Sequence, residues 1–339
     1  MSGFEENNIS EKSVAGSEIG RRDVAKLLDP VLLEEFQIQS SRPRELDESK
    51  IRLIYFHDVA GDPEVAGFKD NNFKAKFNHF VFNSSWQYQH YRDYLGFEWA
   101  QNCSVIEYGF DPIVVDWAAK KADPIMKFCY FSTPQRGLGI LVPIFEKFAE
   151  THEDVHLDVF SSFKIYGWEE QDKQFEPLYE KIRSHPKMTY HGSVGHDELM
   201  AYLPTAHVLA YPSTWVETSC RVLAESMSAG LLCVHSNLGA LYDTSAHLTQ
   251  MYQGDQNPNI HAAIFLNELN NAYNSVKGNP QFWDYLTFVK NYADNRFNIN
   301  RAVFQWNGLL NSLKTVYATP ESRKFKQAQF IIDTQNPKW

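Results

Sequence analysis

Residues 207–241, with the sequence HVLAYPSTWVETSCRVLAESMSAGLLCVHSNLGAL, decide the fold of this chain. The apolar run that ends at Tyr211 predicts a buried strand, and the run LLCVHSN opens like an inner strand of a parallel sheet. Between the two runs, a short loop leads to a helix that we expect to open on Thr218-Ser219-Cys220. A strand, a loop, a helix and a second strand in this order indicate an α/β protein with parallel strands.

Two glutamates lie close to this helix or within it. Glu217 stands just before the helix, and Glu225 lies within it, eight residues further on. If the whole span rose like a helix, the two would lie roughly 12 Å apart and would hold opposite ends of one extended ligand. Carboxylates accept hydrogen bonds from the vicinal hydroxyls of a ribose or a hexose, and a helix N-terminus attracts a diphosphate without a metal. The alternative is an exposed charge and a solvated helix face, since two glutamates at this spacing occur by chance in an acidic chain.

Shorter apolar runs before residue 207 extend the same pattern. The predicted strands lie in FQIQSS, IRLIYF, FNHFVFNSS, CSVIEYG, KFCYFST, VHLDVFSSF and MTYHGSV. They alternate with helical segments or turns, and the pattern is helical from about residue 259 to residue 317. A chain of 339 residues exceeds the size of a single core, so we expect two domains that join within DPIVVDWAAKKADP, residues 111–124.

The composition argues against several classes of protein. The net charge of −10 gives no general attraction to nucleic-acid backbones or anionic lipids. No apolar run has the length of a membrane span and the start is polar, so we expect a cytoplasmic protein, in the host cytoplasm if the source is viral. The four cysteines lack zinc-site spacing and are interpreted as buried free thiols. The last twenty residues are interpreted as a tail with solvated charges at Arg323, Lys324 and Lys326.

Glu217 and Glu225, within YPSTWVETSCRVLAESMSAG, resemble the E-x7-E motif of the GT-B glycosyltransferases related to family 4, also called group 1. The resemblance implies that Glu217 contacts the sugar of a nucleotide-sugar donor and that Glu225 contacts the ribose. It also implies that the backbone around Thr218, Ser219 and Cys220 holds the diphosphate. The implied fold is α/β, with two facing Rossmann-like domains and a donor cleft between them.

The same resemblance extends through the second half of the chain. Arg136 before Gly137, in YFSTPQRGLG, matches a basic residue of the family that meets the diphosphate. The family has another basic residue where this chain has Phe131, so we assign a possible second cation to Lys164 after VHLDVFSSF. Gly192 and Val194 in YHGSVGHDEL match the loop that packs on the nucleobase, although a plain turn before a helix explains these residues nearly as well.

Three segments of the first half resemble the family as well. His57 after LIYF matches a histidine that lines the cleft beside the donor sugar, with a buried core histidine as the alternative. Gly16 and Ser17 resemble a glycine-rich loop that approaches donor and acceptor. In IEYGFD, Tyr108 replaces the usual Asn, and Gly109 is expected to be a position of close approach.

The resemblance also implies an organisation and an activity. The expected parts are an abbreviated acceptor-side domain at residues 1–120, a nucleotide-sugar domain at 121–275, and helices that return to the first domain at 276–339. The implied activity is transfer of a sugar from a UDP-linked donor, with retention, with no metal or further cofactor, and with Glu217, Arg136 and His57 at the reacting centre. The acceptor stays open among a glycan, a protein and a modified nucleic-acid base. Compact members of this kind occur in phages, large DNA viruses and bacteria.

Two other functions stay open at this point. A UDP-sugar epimerase has a similar pair of domains but needs further acid and base groups in the cleft. A non-catalytic protein that binds a sugar nucleotide would also explain the missing Asn at Tyr108 and the missing basic residue at Phe131.

Overall fold

Two parallel sheets form the centre of the protein. The computed structural model describes residues 15–97 and 102–325. In this part of the chain the strands are β1 Phe36–Ser40, β2 Ile51–Phe56, β3 His79–Phe82, β4 Cys103–Val105, β5 Met126–Phe131, β6 Val155–Phe160, β7 Met188–Tyr190, β8 Val208–Tyr211, β9 Leu232–Ser236 and β10 Gln250–Tyr252. The first sheet has the order β1-β2-β3-β4, and the second has the order β10-β9-β8-β5-β6-β7.

Helices connect most of these strands and pack on the sheets. In the described ranges they are α1 Gly16–Leu27, α2 Pro30–Leu33, α3 Asn71–Lys74, α4 Ser85–Leu95, α5 Trp117–Ala122, α6 Leu138–Ala149, α7 Glu176–Ser184, α8 His196–Tyr202, α9 Arg221–Ser228, α10 Leu241–Ser245, α11 Pro258–Gly278, α12 Phe282–Arg296, α13 Ile299–Val316 and α14 Pro320–Arg323. Short 3-10 helices lie at Pro63–Lys69, Pro134–Arg136, Phe163–Tyr166, Glu169–Phe175 and Leu203–Thr205.

The predicted α/β class with parallel, Rossmann-like sheets is confirmed. Each of the nine predicted strands is present as β1 to β9, and β9 is an inner strand as its apolar run indicates. The sequence pattern missed β10, which has only three residues and a half-buried start. The four cysteines are free and buried, as expected.

The second sheet has the larger core. Helix α6 packs one face against it, with Leu138, Leu141, Phe145 and Phe148 all buried at helical spacing. Pro143 lies in the second turn of α6, where it removes one helical hydrogen bond. Helices α9, α11 and α12 add further apolar residues to the same core.

Helix α13 returns from the second sheet to the first. Its residues Trp306, Leu310 and Leu313 are buried in one cluster with Val24 of α1 and Tyr55 of β2. The Trp306 ring meets the Tyr55 ring edge-on at 5.2 Å. The apolar stripe of α13 therefore covers the first sheet.

The interpretation of the last residues as a solvated tail is wrong for Arg323, although Lys324 is exposed as expected. Arg323 donates to the Glu35 carboxylate at 2.7 Å and to the Ser49 carbonyl at 3.0 Å. The buried Arg52 donates to the Arg323 carbonyl and lies under the Phe325 ring, 4.7 Å from its centre. Residues 326–339, including Lys326, lie outside the described ranges.

Gly109 is a position of close approach, as expected, but the approaching group is helix α13. A Cβ atom there would lie 2.7 Å from Ile299 Cα and 2.9 Å from Ala302 Cβ. We expect Gly109→Ala to lower the free energy of unfolding by about 1–3 kcal/mol, because the backbone of α13 must shift. Urea denaturation measures the change.

Gly308→Ala is the matched control for Gly109→Ala. Gly308 lies in α13, and a Cβ atom there has no neighbour within 4 Å. Alanine in this helix should raise the free energy of unfolding by up to about 1 kcal/mol. Equal stability of the two variants would contradict the predicted contact.

Candidate active site

The candidate site lies at the point where the chain of the second sheet changes direction. From β5 the chain proceeds outward to β6 and β7, and from β8 it proceeds outward to β9 and β10 on the other side. The carboxyl ends of β5 and β8 therefore flank a crevice, which is where open α/β sheets bind ligands. Arg136 follows β5, and Glu217 follows β8.

Arg136 and Glu217 contact each other directly in this crevice. Arg136 Nη1 donates to both carboxylate oxygens of Glu217, at 2.7 and 2.9 Å. Burial by itself disfavours the charged guanidinium, but Glu217 outweighs burial and raises the pKa of Arg136. The Trp215 ring lies beside the guanidinium, 5.5 Å away. The sequence predicted both residues at the donor but did not predict their pairing.

Two tyrosines that the sequence analysis missed complete this ion pair. Tyr211 Oη donates to Glu217 Oε1 at 2.7 Å, and Arg136 Nη2 donates to Tyr166 Oη at 3.2 Å. Arg136 Nε is buried with no partner among the described residues. Tyr211 ends β8, and Tyr166 belongs to the short helix after β6. Both strands are neighbours of β5, the strand that precedes Arg136, so the strand order places both tyrosines near the ion pair. These contacts fix the geometry of the Arg136–Glu217 ion pair, and the Nε–H of Arg136 is available to donate to a ligand.

A glycine of the β9 exit holds the Glu217 backbone. Ala240 N–H donates to the Glu217 carbonyl at 2.7 Å. Gly239 has φ +64°, and a Cβ atom there would lie 2.4 Å from the same carbonyl oxygen. Only glycine permits this approach, so the loop after β9 contributes to the position of Glu217.

Helix α9 begins later than the sequence analysis expected. Its first residue is Arg221, and Cys220 is the N-cap, without a side-chain cap. The Cys220 amide donates to Thr244 Oγ1 at 3.3 Å. Glu217 and Glu225 are therefore not on one helix, and the separation estimated from a continuous helix does not apply. Thr218 and Ser219 lie in the loop before the cap and are half-buried.

Glu225 is buried in α9 and belongs to a second ion pair. Its Oε1 accepts from Arg221 Nε at 2.5 Å and from His196 Nε2 at 3.1 Å. Burial opposes ionisation, but Arg221 and then His196 outweigh it and lower the pKa of Glu225. The i, i+4 spacing of Arg221 and Glu225 is readable in the sequence and was missed.

The first helix packs against Arg221. Asp23 of α1 accepts from Arg221 Nη2 at 3.4 Å, and a Cβ atom at Gly16 would lie 3.5 Å from Arg221 Cβ. Gly16 and Ser17 are the first two residues of α1. Ser17 Oγ donates to Glu18, its neighbour. Whether a strand precedes Gly16 lies outside the described residues.

Three other predicted residues lie near the edge of this region. Gly192 has φ +68° in the loop between β7 and α8. Val194 of the same loop is half-buried and packs against the core of the second sheet. His196, at the end of the loop, connects it to Glu225. Lys164 is exposed, two residues before Tyr166. Phe131, in the place of the family's other basic residue, is buried in the core.

His57 faces the second sheet from the end of β2. Its carbonyl accepts from Thr218 Oγ1 at 2.7 Å, so the edges of the two sheets meet here. Its ring Nδ1 lies 2.7 Å from Tyr108 Oη, and Nε2 is buried with no partner among the described residues. Burial and the nearby Arg21 lower the pKa of His57 to about 3. The imidazole is therefore neutral at physiological pH.

Two further contacts join the two sheets beside Thr218. Ser84 Oγ donates to the Thr218 carbonyl at 2.5 Å, and the Trp86 amide donates to the Asp243 carboxylate at 2.9 Å. Both donors lie at the N-terminus of α4, and Ser84 also caps this helix. The sequence does not predict either contact with the second sheet.

Comparison with known proteins agrees with this geometry. Residues 118–264 match the model of the family described as glycosyl transferases group 1, a range that includes Arg136, Glu217 and Glu225. The chain has the GT-B fold, and the match to the group 1 family covers residues 118–264. The resemblance inferred from the E-x7-E segment is thereby confirmed. No curated protein sequence matches the chain.

Several solved structures share the fold at low sequence identity. A glycosyltransferase from Rickettsia africae is 14% identical with a TM-score of 0.65, over 89% of this chain and 83% of that one. Alr3699/HepE of Anabaena, solved with UDP-glucose, is 13% identical with a TM-score of 0.59, over 87% and 81%. A sucrose-phosphate synthase from Thermosynechococcus elongatus is 14% identical with a TM-score of 0.62, over 89% and 80%.

None of the described helices combines the length and the apolar character that a membrane span requires.

Proposed function

We propose that this chain transfers a sugar from a UDP-sugar to an acceptor, with retention at the anomeric carbon. The observation that carries the proposal is the Arg136–Glu217 ion pair at the crevice of the second sheet, with His57 facing it across Thr218. The match of residues 118–264 to the group 1 family model supports sugar transfer from a nucleotide donor. The complexes of Alr3699/HepE with UDP-glucose and with UDP support a UDP-linked donor.

Charge from the protein stabilises the departing diphosphate in this proposal. Arg136 supplies a guanidinium whose Nε–H is unpartnered in the described structure, and the N-terminus of α9 supplies its dipole. Lys164 is the additional cation, since it is exposed and near Tyr166, a partner of Arg136. These positive groups give the reaction a route that requires no metal and no further cofactor.

The two glutamates hold the two ends of the donor. Glu217 accepts from hydroxyls of the sugar while Arg136 and Tyr211 hold it in place. Glu225 uses Oε1 for Arg221 and His196, so its Oε2 is assigned to the ribose hydroxyls. The loop with Gly192 and Val194 is assigned to the uracil. Gly16 and Ser17, beside Arg221, are assigned to the acceptor side of the diphosphate.

The bond changes follow from this arrangement. The bond from the anomeric carbon to the β-phosphate oxygen breaks, and the acceptor oxygen bonds to the same face of that carbon. The acceptor proton passes to the departing phosphate. His57 is neutral and donates a hydrogen bond to the sugar, and contact between the two sheets at Thr218 keeps water away from the donor.

The proposal is tested by incubating the full chain with a panel of UDP-hexoses and UDP-pentoses, with and without glycan, protein and modified-base acceptors. Release of UDP with a new glycoside of retained configuration is expected for one donor. An epimerised UDP-sugar in the absence of acceptor would instead indicate an epimerase. Binding of UDP-sugars with no turnover on any acceptor class would indicate a binding protein.

The ribose assignment predicts the effect of Glu225→Gln on UDP binding. This variant keeps the size of the side chain but removes its charge. We expect UDP affinity to fall about 10- to 100-fold, because a hydrogen bond to a charged group is worth about 1.5–3 kcal/mol. Calorimetric titration with UDP measures this change.

Glu198→Gln is the control for the ribose assignment. Glu198 is exposed on α8, the helix that begins with His196. Its substitution removes the same charge near the same loop and should leave the UDP affinity unchanged. Equal affinities of the Glu225 variant and the unmodified chain would remove Glu225 from the ribose site.

A further inference from the structure

Four residues at the contact between the two sheets form a closed ring of hydrogen bonds. Thr218 Oγ1 donates to the His57 carbonyl at 2.7 Å, and Asn83 Nδ2 donates to Thr218 Oγ1 at 3.5 Å. Asn83 Nδ2 also donates to Tyr108 Oη at 3.1 Å. Tyr108 Oη in turn lies 2.7 Å from His57 Nδ1. The ring therefore begins and ends on His57.

The direction of each hydrogen bond in the ring follows from chemistry. A carbonyl oxygen only accepts hydrogen bonds, so the Thr218 hydroxyl is the donor to the His57 carbonyl. Thr218 Oγ1 then accepts from Asn83, which places the Asn83 NH2 group, rather than its oxygen, on this side. The same NH2 group donates to Tyr108 Oη, and among the described residues the other partner of this buried hydroxyl is His57 Nδ1, so the Tyr108 O–H donates to Nδ1. Nδ1 is thus an acceptor, and the imidazole carries its single proton on Nε2.

We infer that Tyr108 is a positioning residue that holds His57 in the Nε2–H tautomer, so that His57 presents a hydrogen-bond donor to a hydroxyl of the bound sugar. The inference rests on the proposed function, because it names how the site reads its donor. Nε2 of His57 and Oδ1 of Asn83 are both buried without a partner among the described residues. A sugar hydroxyl has the chemistry to accept from the first and to donate to the second.

The Tyr108 ring packs closely against Gly20 and His57. A Cβ atom at Gly20 of α1 would lie 2.7 Å from Tyr108 Cδ1, so only glycine admits the ring here. The Tyr108 and His57 rings are nearly parallel, at 5° and 5.8 Å between their centres. Burial raises the pKa of the Tyr108 hydroxyl, which therefore keeps its proton. The tyrosine in the place of the family's usual Asn thus has a role of its own.

The tautomer is measured directly by 15N NMR of the full chain labelled at histidine, without any substrate. We expect His57 to show a protonated Nε2 and an unprotonated Nδ1. Tyr108→Phe removes the donor to Nδ1 and should produce a mixture of tautomers. Donor turnover should fall about tenfold, the scale at which loss of an orienting partner acts.

Tyr55→Phe is the matched control for Tyr108→Phe. The Tyr55 hydroxyl is buried in the same cluster and donates to the Ile106 carbonyl, and its ring touches His57 edge-on at 4.3 Å. Tyr55→Phe should leave the His57 tautomer unchanged. A shift of equal size in both variants would show a general packing effect and would overturn the inference.

Asn83→Asp tests the direction of the ring in a second way. The carboxylate can only accept, so Tyr108 must turn its proton toward it and accept from His57. We expect the His57 proton to move to Nδ1 in this variant. A protonated Nδ1 in the unmodified chain, or no change in either Tyr108→Phe or Asn83→Asp, would overturn the inference. If the tautomers behave as expected and no UDP-sugar reacts, the proposed function fails while the positioning role stands.

Discussion

Glu217→Gln is expected to lower sugar-transfer turnover about 100- to 1000-fold, the effect of removing one preorganised electrostatic group from a reacting centre. Gln keeps an oxygen that accepts from Tyr211, so the fold should change little. Arg136→Met should lower turnover to a similar extent, because the departing diphosphate then loses the guanidinium and keeps only Lys164 and the dipole of α9. Steady-state assay of UDP release with the reactive donor measures both variants.

The free energy of unfolding should respond to the loss of one charge of the Arg136–Glu217 ion pair. Arg136→Met leaves the Glu217 carboxylate buried, with the Tyr211 hydroxyl as its remaining partner in the described residues, and we expect a loss of about 3 kcal/mol in the free energy of unfolding. The double variant removes both charges, so it should regain stability but not turnover. Arg183→Met is the control, since Arg183 pairs on the surface with Glu176. It should cost at most about 1 kcal/mol and leave turnover intact. Unchanged turnover in the Arg136 and Glu217 variants would remove both from the reaction.

Gly137→Ala should be among the most destabilising single changes in the chain. Gly137 has φ +119°, a region that side chains rarely adopt, and a Cβ atom there would lie 2.2 Å from the Pro212 carbonyl oxygen. The carbonyl carbon and oxygen of Pro212 belong to the backbone directly after β8, so they cannot move without that segment of the chain. We expect a loss of about 2–5 kcal/mol in the free energy of unfolding and a displaced Arg136. Thermal denaturation and UDP titration measure the two effects.

Gly139→Ala provides the comparison for Gly137→Ala. Gly139 lies two residues further on in α6, and a Cβ atom there has no neighbour within 4 Å. Alanine should stabilise this helix by up to about 1 kcal/mol. If both variants were equally stable, the close approach of the loops after β5 and β8 would be wrong.

The fold was predictable because its signal is local. The runs IRLIYF, KFCYFST and HVLAYPS are apolar enough to be buried, and each became a strand of a parallel sheet. Glu217 and Glu225 were found because small residues and two strands surround them in the sequence itself. The start of α9 was misjudged, since Thr218 forms its hydrogen bonds with His57 and Ser84 instead of capping the helix.

The partners of the site residues were not predictable, because they come from distant parts of the chain. Arg136 is 81 residues from Glu217 in the sequence, and Thr218 is 161 residues from His57. No spacing rule connects such positions, since strand order and loop geometry determine which side chains meet. The same reason explains the error at Arg323, whose partner Glu35 is 288 residues away.

The sequence by itself determined the α/β class, the strands of two sheets and the segment from Glu217 to Glu225 as the place to look for a donor. These features depend on hydrophobic pattern and on neighbours within a few residues. Only the tertiary structure decided that Arg136 pairs with Glu217, that Asp23 contacts Arg221, and that Tyr108 contacts His57. These partners are distant in the sequence; strand order and loop geometry bring them together, and the cost of burying a polar group selects each partner.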